Sequence, residues 1–585
     1  MQIVHSSKVE ETGPPRSLSL RLIAAYVAGL IACWLLLGFG SIKPFSLLSL
    51  SNDSFYTLNF AKNYVNGAGF RVNPYLAFPE IQDNAYFPSF DFSYRAFMRM
   101  VAWFSDGPAP VYYLLYVAGV AAMFATSAFA LRSLRFNHWL SIFGAIVYVV
   151  SPWLVIRAFS HDFLALYYSA PLGVALALRV GLYPEILAWR LSGAALSLLV
   201  VATSGVYYAF FSLMFIAFLG AVGGISRQQW QPAVSICVVT AGVLVLLMVT
   251  GYGSALPDIL TGAIPPTKRI AGAQLVFGLN FSEATHLFDD IPRMAWVRQE
   301  YVAFWPYLKY PHNMPDWPGL TLTLVMLASP VILPILANTT GPRSYQSQLI
   351  LLATASIAFG IIYAMEGGLA YYFGLFINPS IRATDRIIPF LAFFALVVLL
   401  ATVDILLARR LLSKIGAGLV LAALLVSMLP SVNGLARYHR AIMDGPAMVE
   451  NIASIRQLLA AKDRENLTAV LQLPHAAWPE TAPQRSYDML SLQAYFVLDR
   501  KGSTTRWSYG SRLDQASYQI IEKMLRDNQP HGLAGAAAAM GFNGAVIDKA
   551  PLSEDEWRAF AANLDETSCK IFEDSRRLLY SFRRC

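Results

Sequence analysis

The chain has 585 residues, of which 56% are hydrophobic and only 14% are charged. A water-soluble protein of that length and composition would carry more apolar surface than one core can hide, so a soluble globular class is excluded and a bilayer takes the remainder. The formal net charge of +8 lies largely in short connections, where it sets orientation in a membrane and does not point to nucleic acid.

Residues 1–21 are mostly polar and read as a cytoplasmic tail without a secretory cleavage pattern. Beyond them, apolar runs long enough to cross about 30 Å of hydrocarbon recur along the chain. Hydropathy places membrane helices at 22–40, 111–130, 139–157, 163–180, 186–203, 206–225, 232–250, 320–337, 348–366, 387–408 and 415–430. The expectation is a mainly α, polytopic membrane helix bundle of eleven crossings over 22–430. Only Ser204-Gly205 separates the fifth and sixth of these, so one long kinked helix is the alternative there. With the N-terminus inside, every predicted cytoplasmic connection carries a cation: Arg132 and Arg135, Arg179 and Arg190, Arg227, Arg343, then Arg409, Arg410 and Lys414. That agrees with the positive-inside rule and leaves the C-terminal third outside.

Three arginines depart from this pattern. Arg157 falls at the outer end of the third predicted helix, and Arg382 and Arg386 fall in the outer segment before the tenth. An arginine fork can hold a phosphate by two hydrogen bonds, which would justify cations on that side. Lipid-headgroup anchoring, or an ion pair with Glu366 or Asp385, is the alternative.

Two long outer loops bracket the bundle, 41–110 and 251–319. The first carries Asp53, Asp83 and Asp91 among Tyr56, Tyr86, Phe87, Phe90, Phe92 and Tyr94. It is expected to hold two interfacial helices: Asp53 to Asn66, capped by Ser51 or Asn52 and ended by Gly67, and Asp91 to Phe104. The second is rich in proline and aromatic residues, which excludes one regular element and suggests a lid or acceptor-binding loop. In the turn after the third membrane helix stands His161-Asp162, where an acid beside an imidazole can hold or transfer a proton, or is simply a polar turn. Tyr167-Tyr168 and Tyr207-Tyr208 sit where an aromatic belt is expected. The predicted topology brings Asp53, Asp83, Asp91, Arg157, His161, Glu366, Arg382 and Arg386 to one face.

After Pro430 the composition shifts. Helical stretches (Ala447 to Ala461, Gln515 to Asp527, Glu554 to Leu564) alternate with short strands (Thr468 to Leu473, Gly544 to Ile547, Lys570 to Phe572, Leu578 to Phe582), which reads as a soluble α/β domain over 431–585. It shows no glycine-rich phosphate loop, nucleophile elbow or zinc spacing, so a recognition or packing module is the plain expectation. Of the four cysteines, Cys33 and Cys237 fall in membrane helices. Cys569 and Cys585 flank a predicted hairpin in which Phe572 faces Tyr580, and they are expected to form a disulfide if the compartment is oxidising.

A long first outer loop that opens on Asp53 after a single membrane helix resembles the GT-C glycosyltransferases, which use polyprenyl-phosphate sugars. More closely, Asn73-Pro-Tyr-Leu, Gln82-Asp83, Phe87-Pro88, Arg157-Ala-Phe-Ser-His161, Tyr167-Tyr168, Gly205-Val-Tyr-Tyr-Ala-Phe-Phe, Ile381-Arg-Ala-Thr-Asp-Arg-Ile, Leu471-Gln-Leu-Pro474 with Trp478-Pro-Glu480, and Arg506-Trp-Ser-Tyr-Gly510 resemble a bacterial family of multi-pass membrane proteins often labelled sugar translocase or phosphoglycerol transferase. The likeness spans most of the chain, but the 251–319 loop departs from that family's pattern. It implies an inverting glycosyltransferase of the bacterial inner membrane that modifies a cell-envelope glycan, polysaccharide or glycolipid, with the C-terminal domain periplasmic. Its partners would be a polyprenyl-phosphate-linked sugar donor, a glycan or glycolipid acceptor and the lipid bilayer, with no nucleic acid.

Such a transfer needs a carboxylate to deprotonate the acceptor hydroxyl and cations for the departing lipid phosphate. The resemblance assigns Asp53 as the base. Asp83, Asp91, His161, Asp162 and Glu366 become candidates for binding the acceptor or a metal, and Arg157, Arg382 and Arg386 candidates for holding phosphate. Carboxylates suit magnesium or manganese, although nothing in the spacing fixes a metal. The competing classes are a lipid-linked sugar flippase, which should show paired broken helices in two halves, and a phosphoglycerol transferase, whose usual metal-and-threonine machinery is not visible in the C-terminal domain.

Overall fold

A computed structural model describes residues 19–51, 53–84, 91–158, 161–182, 191–228, 231–251, 256–261, 278–279, 321–329, 345–377, 383–408, 410, 413–426, 428, 431–478, 489–527, 532–583 and 585. The chain runs through helices α1 (Leu20–Leu36), α2 (Ser54–Val65), α3 (Phe92–Ala102), α4 (Pro108–Ser133), α5 (His138–Val149), α6 (Pro152–Arg157), α7 (Asp162–Ala165), α8 (Ala170–Leu182), α9 (Leu191–Thr203), α10 (Val206–Arg227) and α11 (Gln231–Gly251). Later apolar helices are Tyr345–Ala364, Ile388–Ala408 and Lys414–Val426. Among the described residues six helices are long and apolar enough to cross a membrane, with four shorter apolar ones beside them. The chain is thus mostly helical with several membrane-length segments.

Packing follows side-chain size. Helix α8 lies along α10 because Gly173 leaves room for Ser212: a Cβ added there would meet Ser212 Oγ at 2.1 Å. Between α9 and α10 the chain turns at Gly205, whose φ of +130° is open to glycine and strained for other residues. The fifth and sixth predicted segments are therefore two helices.

The expected helix at 163–180 begins only at Ala170. A physical cause is visible upstream, where backbone acceptors are taken by side chains. Leu164 O accepts from Trp153 Nε1 at 3.1 Å and from Tyr208 Oη at 2.6 Å, and Leu166 O accepts from Tyr94 Oη. Carbonyls bound this way can do without a helical ladder, and the chain stays open from 166 to 169. Tyr167 and Tyr208, placed by sequence in an aromatic belt, are buried instead.

The C-terminal region forms a five-stranded sheet in the order β4-β3-β5-β7-β6, from β3 (Ala469–Leu473), β4 (Arg506–Trp507), β5 (Gly544–Asp548), β6 (Cys569–Glu573) and β7 (Arg577–Ser581). Strands β3, β4 and β5 run parallel; β5–β7 and β6–β7 are antiparallel. The hairpin register departs from expectation. Phe572 faces Leu579, not Tyr580, because Lys570 already pairs with Tyr580 and the ladder shifts between Lys570 and Phe572. A disulfide joins Cys569 to Cys585, with Cα atoms 4.9 Å apart.

The loop after α1 is joined to this sheet at its β4 edge. In a short hairpin, β1 (Val72–Asn73) with β2 (Gln82–Asp83), the connection carries Tyr75 to Phe78, which lies along β4. Trp507 N donates to Tyr75 O at 2.8 Å, Phe78 N to Trp507 O at 3.0 Å and Ala77 N to Tyr509 O at 2.9 Å. Phe78 enters the core of the C-terminal sheet beside Phe542. Helix α2 is buried at all of its residues, between α3, α4 and the helical stretch Met489–Gln493 and Ala494–Leu498, which corrects the expectation of an interfacial helix. Asn59 Nδ2 donates to Gln493 Oε1 at 2.6 Å, and Lys62 Nζ donates to Asp499 O. Burial pushes the Lys62 ammonium down to about 8, partly opposed by Asp499.

Candidate functional site

Asp53 stands at the N-cap of α2, yet its side chain makes no capping hydrogen bond. Its Oδ2 lies 2.8 Å from His161 Nδ1. The expected cap at Ser51 is also different, since the Ser51 N–H donates to Ser54 Oγ at 2.9 Å; Asn52 lies outside the described residues. Both members of the Asp53–His161 pair are about one-third exposed, at 31% and 35% of the side chain. Both are therefore reachable from solvent.

The residue after His161 faces inward. Asp162 accepts from Tyr112 Oη at 2.8 and 2.9 Å and from Tyr116 Oη at 2.5 Å. Burial pushes its carboxyl up to about 6, against the tyrosine hydrogen bonds, and the Asp53 charge adds to the rise. These tyrosines were not singled out from sequence. Their spacing of four residues on α4 was the available signal, since it places both hydroxyls on one helix face.

A second group forms around Asp91, which caps α3 without a side-chain bond and is 5% exposed. Its Oδ1 fills the space beside Gly205, 2.8 Å from where a Cβ would stand. Burial pushes its carboxyl up to about 7, with Arg95 and Arg386 pulling the other way. Arg386 lies in the 3-10 turn Thr384–Ile387, its guanidinium 4.1 Å from the centre of the Tyr207 ring. The two groups share a support, because α7 and the chain after it, residues 162–168, bind Tyr112, Tyr116, Trp153, Tyr208 and Tyr94, while Ser93 Oγ pairs with Tyr168 Oη.

Other candidates are engaged elsewhere. Arg157 Nη2 bonds Asp385 Oδ2 at 2.6 Å, with side chains only 6% and 5% exposed, which is the ion-pair alternative weighed for it. Asp83 pairs with Arg71 at 2.8 Å, and Arg71 also reaches Asp258 at 2.5 Å. Glu366 is on the exposed turn after Tyr345–Ala364, its N–H donating to Leu279 O at 3.3 Å. Arg382 lies outside the described residues, as does most of the 251–319 loop. Among the described residues no three His, Cys, Asp or Glu side chains converge as a metal site would require.

The Arg157–Asp385 pair gives a direct expectation. Removing one member of a buried ion pair strands the other charge at a cost of about 3–5 kcal/mol, whereas replacing both by apolar residues of similar volume costs far less. Arg157→Met should lower the thermal stability of the detergent-purified protein strongly, and Arg157→Met with Asp385→Leu should recover most of it. Equal losses in single and double variants would exclude this account.

No protein-family model and no curated protein matches the chain. Among solved structures, the oligosaccharyltransferase of Archaeoglobus fulgidus in its apo form aligns at 13% identity and a TM-score of 0.44, over 90% of this chain and 69% of that one. ArnT from Cupriavidus metallidurans, bound to undecaprenyl phosphate, aligns at 13% identity and a TM-score of 0.46, over 97% of this chain and 98% of that one. At these TM-scores the likeness decides nothing about chemistry, which rests on this chain's own residues.

Proposed function

We propose that the protein is a glycosyltransferase that moves a sugar from a polyprenyl-phosphate donor to a cell-envelope glycan or glycolipid at the outer face of the bacterial inner membrane. One observation carries this reading: an accessible carboxylate, Asp53, is held by an imidazole on one oxygen while its other oxygen, Oδ1, makes no hydrogen bond among the described residues. A carboxylate so placed can take the proton of an acceptor hydroxyl as that oxygen attacks the sugar. Arg386 supplies the positive charge for the departing phosphate, with Arg382 a further candidate, while Arg157 is committed to Asp385. In this reading the chain crosses the membrane eleven times and residues 431–585 face the periplasm.

The test is mass spectrometry of envelope glycans from a deletion strain. The expected result is loss of one glycosyl residue, restored by the wild-type gene. Loss of a glycerol phosphate instead would indicate phosphoglycerol transfer, and an intact sugar trapped on its lipid carrier in the cytoplasmic leaflet would indicate a flippase. Either outcome overturns the proposal, as do unchanged glycans.

A further inference from the structure

We propose that His161 is the positioning residue of the Asp53 base: by donating its Nδ1–H to Asp53 Oδ2 it holds the carboxylate off its own helix and leaves Oδ1 to take the proton of the acceptor hydroxyl. This rests on the assignment of Asp53 made above and adds the residue that aims it.

The tautomer follows from the partner. An ionised carboxylate only accepts hydrogen bonds, so the ring nitrogen 2.8 Å from it carries the proton. Neutral His161 then has Nε2 as its bare nitrogen. The turn that carries the imidazole is itself well held. His161 N donates to Arg157 O at 2.9 Å, and its carbonyl accepts from Leu164 N at 2.9 Å and Ala165 N at 3.1 Å. The neighbouring Asp162 is fixed by Tyr112 and Tyr116. The ring therefore projects from a turn that the bundle holds on several sides.

Asp53 has an alternative position that explains why it needs a holder. As the N-cap of α2 it could swing back and accept from an amide of the first turn, which is what aspartate at that position ordinarily does. It makes no such bond here, and His161 is its hydrogen-bond partner among the described residues. The bond to the imidazole competes with the cap. Without it the carboxylate is free to collapse onto its own helix, where the structure loses little and the reaction loses its base.

The step balances on the acceptor, the donor and Asp53 alone. The acceptor O–H bond breaks and its proton goes to Asp53 Oδ1; the oxygen's electron pair forms the bond to sugar C1; the C1–O bond to phosphate breaks, and its pair leaves on the phosphate. His161 keeps its Nδ1–H throughout and neither gives nor takes a proton in the step.

Two measurements test this. In the first, the deletion strain carries His161→Ala, His161→Asn or His161→Gln, and the modified glycan is quantified by mass spectrometry. Asparagine places an N–H near the Nδ1 position, while alanine removes it and glutamine reaches only toward Nε2. His161→Asn should stay within about tenfold of wild type, and His161→Ala and His161→Gln should fall by about 10²-fold, the cost of a misaimed group. Thermal stability of all three should stay close to wild type, because Asp53 regains a cap. His161→Ala within tenfold of wild type, or His161→Asn as inactive as His161→Ala, overturns the proposal. In the second, the protein labelled with 15N-histidine is observed by NMR in detergent. His161 should carry its proton on Nδ1 and revert to the Nε2–H form in Asp53→Ala; an Nε2–H tautomer in the wild type overturns the proposal without any variant having to fold. Activity retained in Asp53→Asn would sink the parent assignment, whereas an inactive Asp53→Asn beside an active His161→Ala would sink only the positioning role.

Discussion

If the proposed function holds, replacing Asp53 by asparagine should abolish sugar transfer while the protein still inserts, folds and purifies. The amide keeps the shape of the carboxylate and can still accept from His161 Nδ1–H, so the local geometry survives. What disappears is the basic oxygen, and a positioned base contributes about 10²–10⁴-fold. The deletion strain carrying Asp53→Asn should show the same glycan defect as the empty strain, with wild-type levels of protein in the membrane. A variant that restores more than about a tenth of the modified glycan would remove Asp53 from the chemistry.

The largest effect on stability is expected at Trp507, far from Asp53 in sequence. Its side chain is fully buried and stacks on Tyr495, with ring centres 5.4 Å apart, and its backbone exchanges hydrogen bonds with Tyr75 and Phe78 of the loop after α1. Trp507→Ala leaves a cavity at the seam that joins this loop to the C-terminal sheet, at a cost of about 3–5 kcal/mol. Thermal unfolding should register the loss, and limited proteolysis should cut the loop around residues 66–84 sooner than in the wild type. In the proposed function, transfer should fall as well, because α2, which Asp53 precedes as N-cap, is tied to the same C-terminal region through Asn59 and Lys62. A loss below about 1 kcal/mol with unchanged proteolysis would mean that the seam does not hold the loop. The C-terminal region is then more than an appended packing module, since it also holds α2, the helix that Asp53 precedes as N-cap.

Period and composition determined the elements of this protein. The apolar runs, the break at Ser204-Gly205, the two helices of the first loop and most strands of the C-terminal sheet were legible, because each depends on neighbours within a few residues. Strand β4 was missed: it is two residues long and exists as pairing with β3. Among site residues, Asp53, Asp91, His161 and Arg386 stood out as polar groups flanking apolar segments. That Asp53 meets His161 was not visible, since 108 residues separate them and the opening of α2 carries no trace of its partner. Nor could the sequence decide between phosphate and carboxylate for Arg157. Either ligand satisfies a guanidinium, and the packing that buries Asp385 against it made the choice. The buried α2 is the clearest case. Its residues read as a helix with apolar and polar faces, and whether such a helix rests on lipid or on protein depends on what covers it. Covering is a long-range fact: part of the cover is the helical stretch Met489–Gln493 and Ala494–Leu498, more than 400 residues later, joined to α2 by hydrogen bonds such as Asn59 to Gln493, a separation of 434 residues.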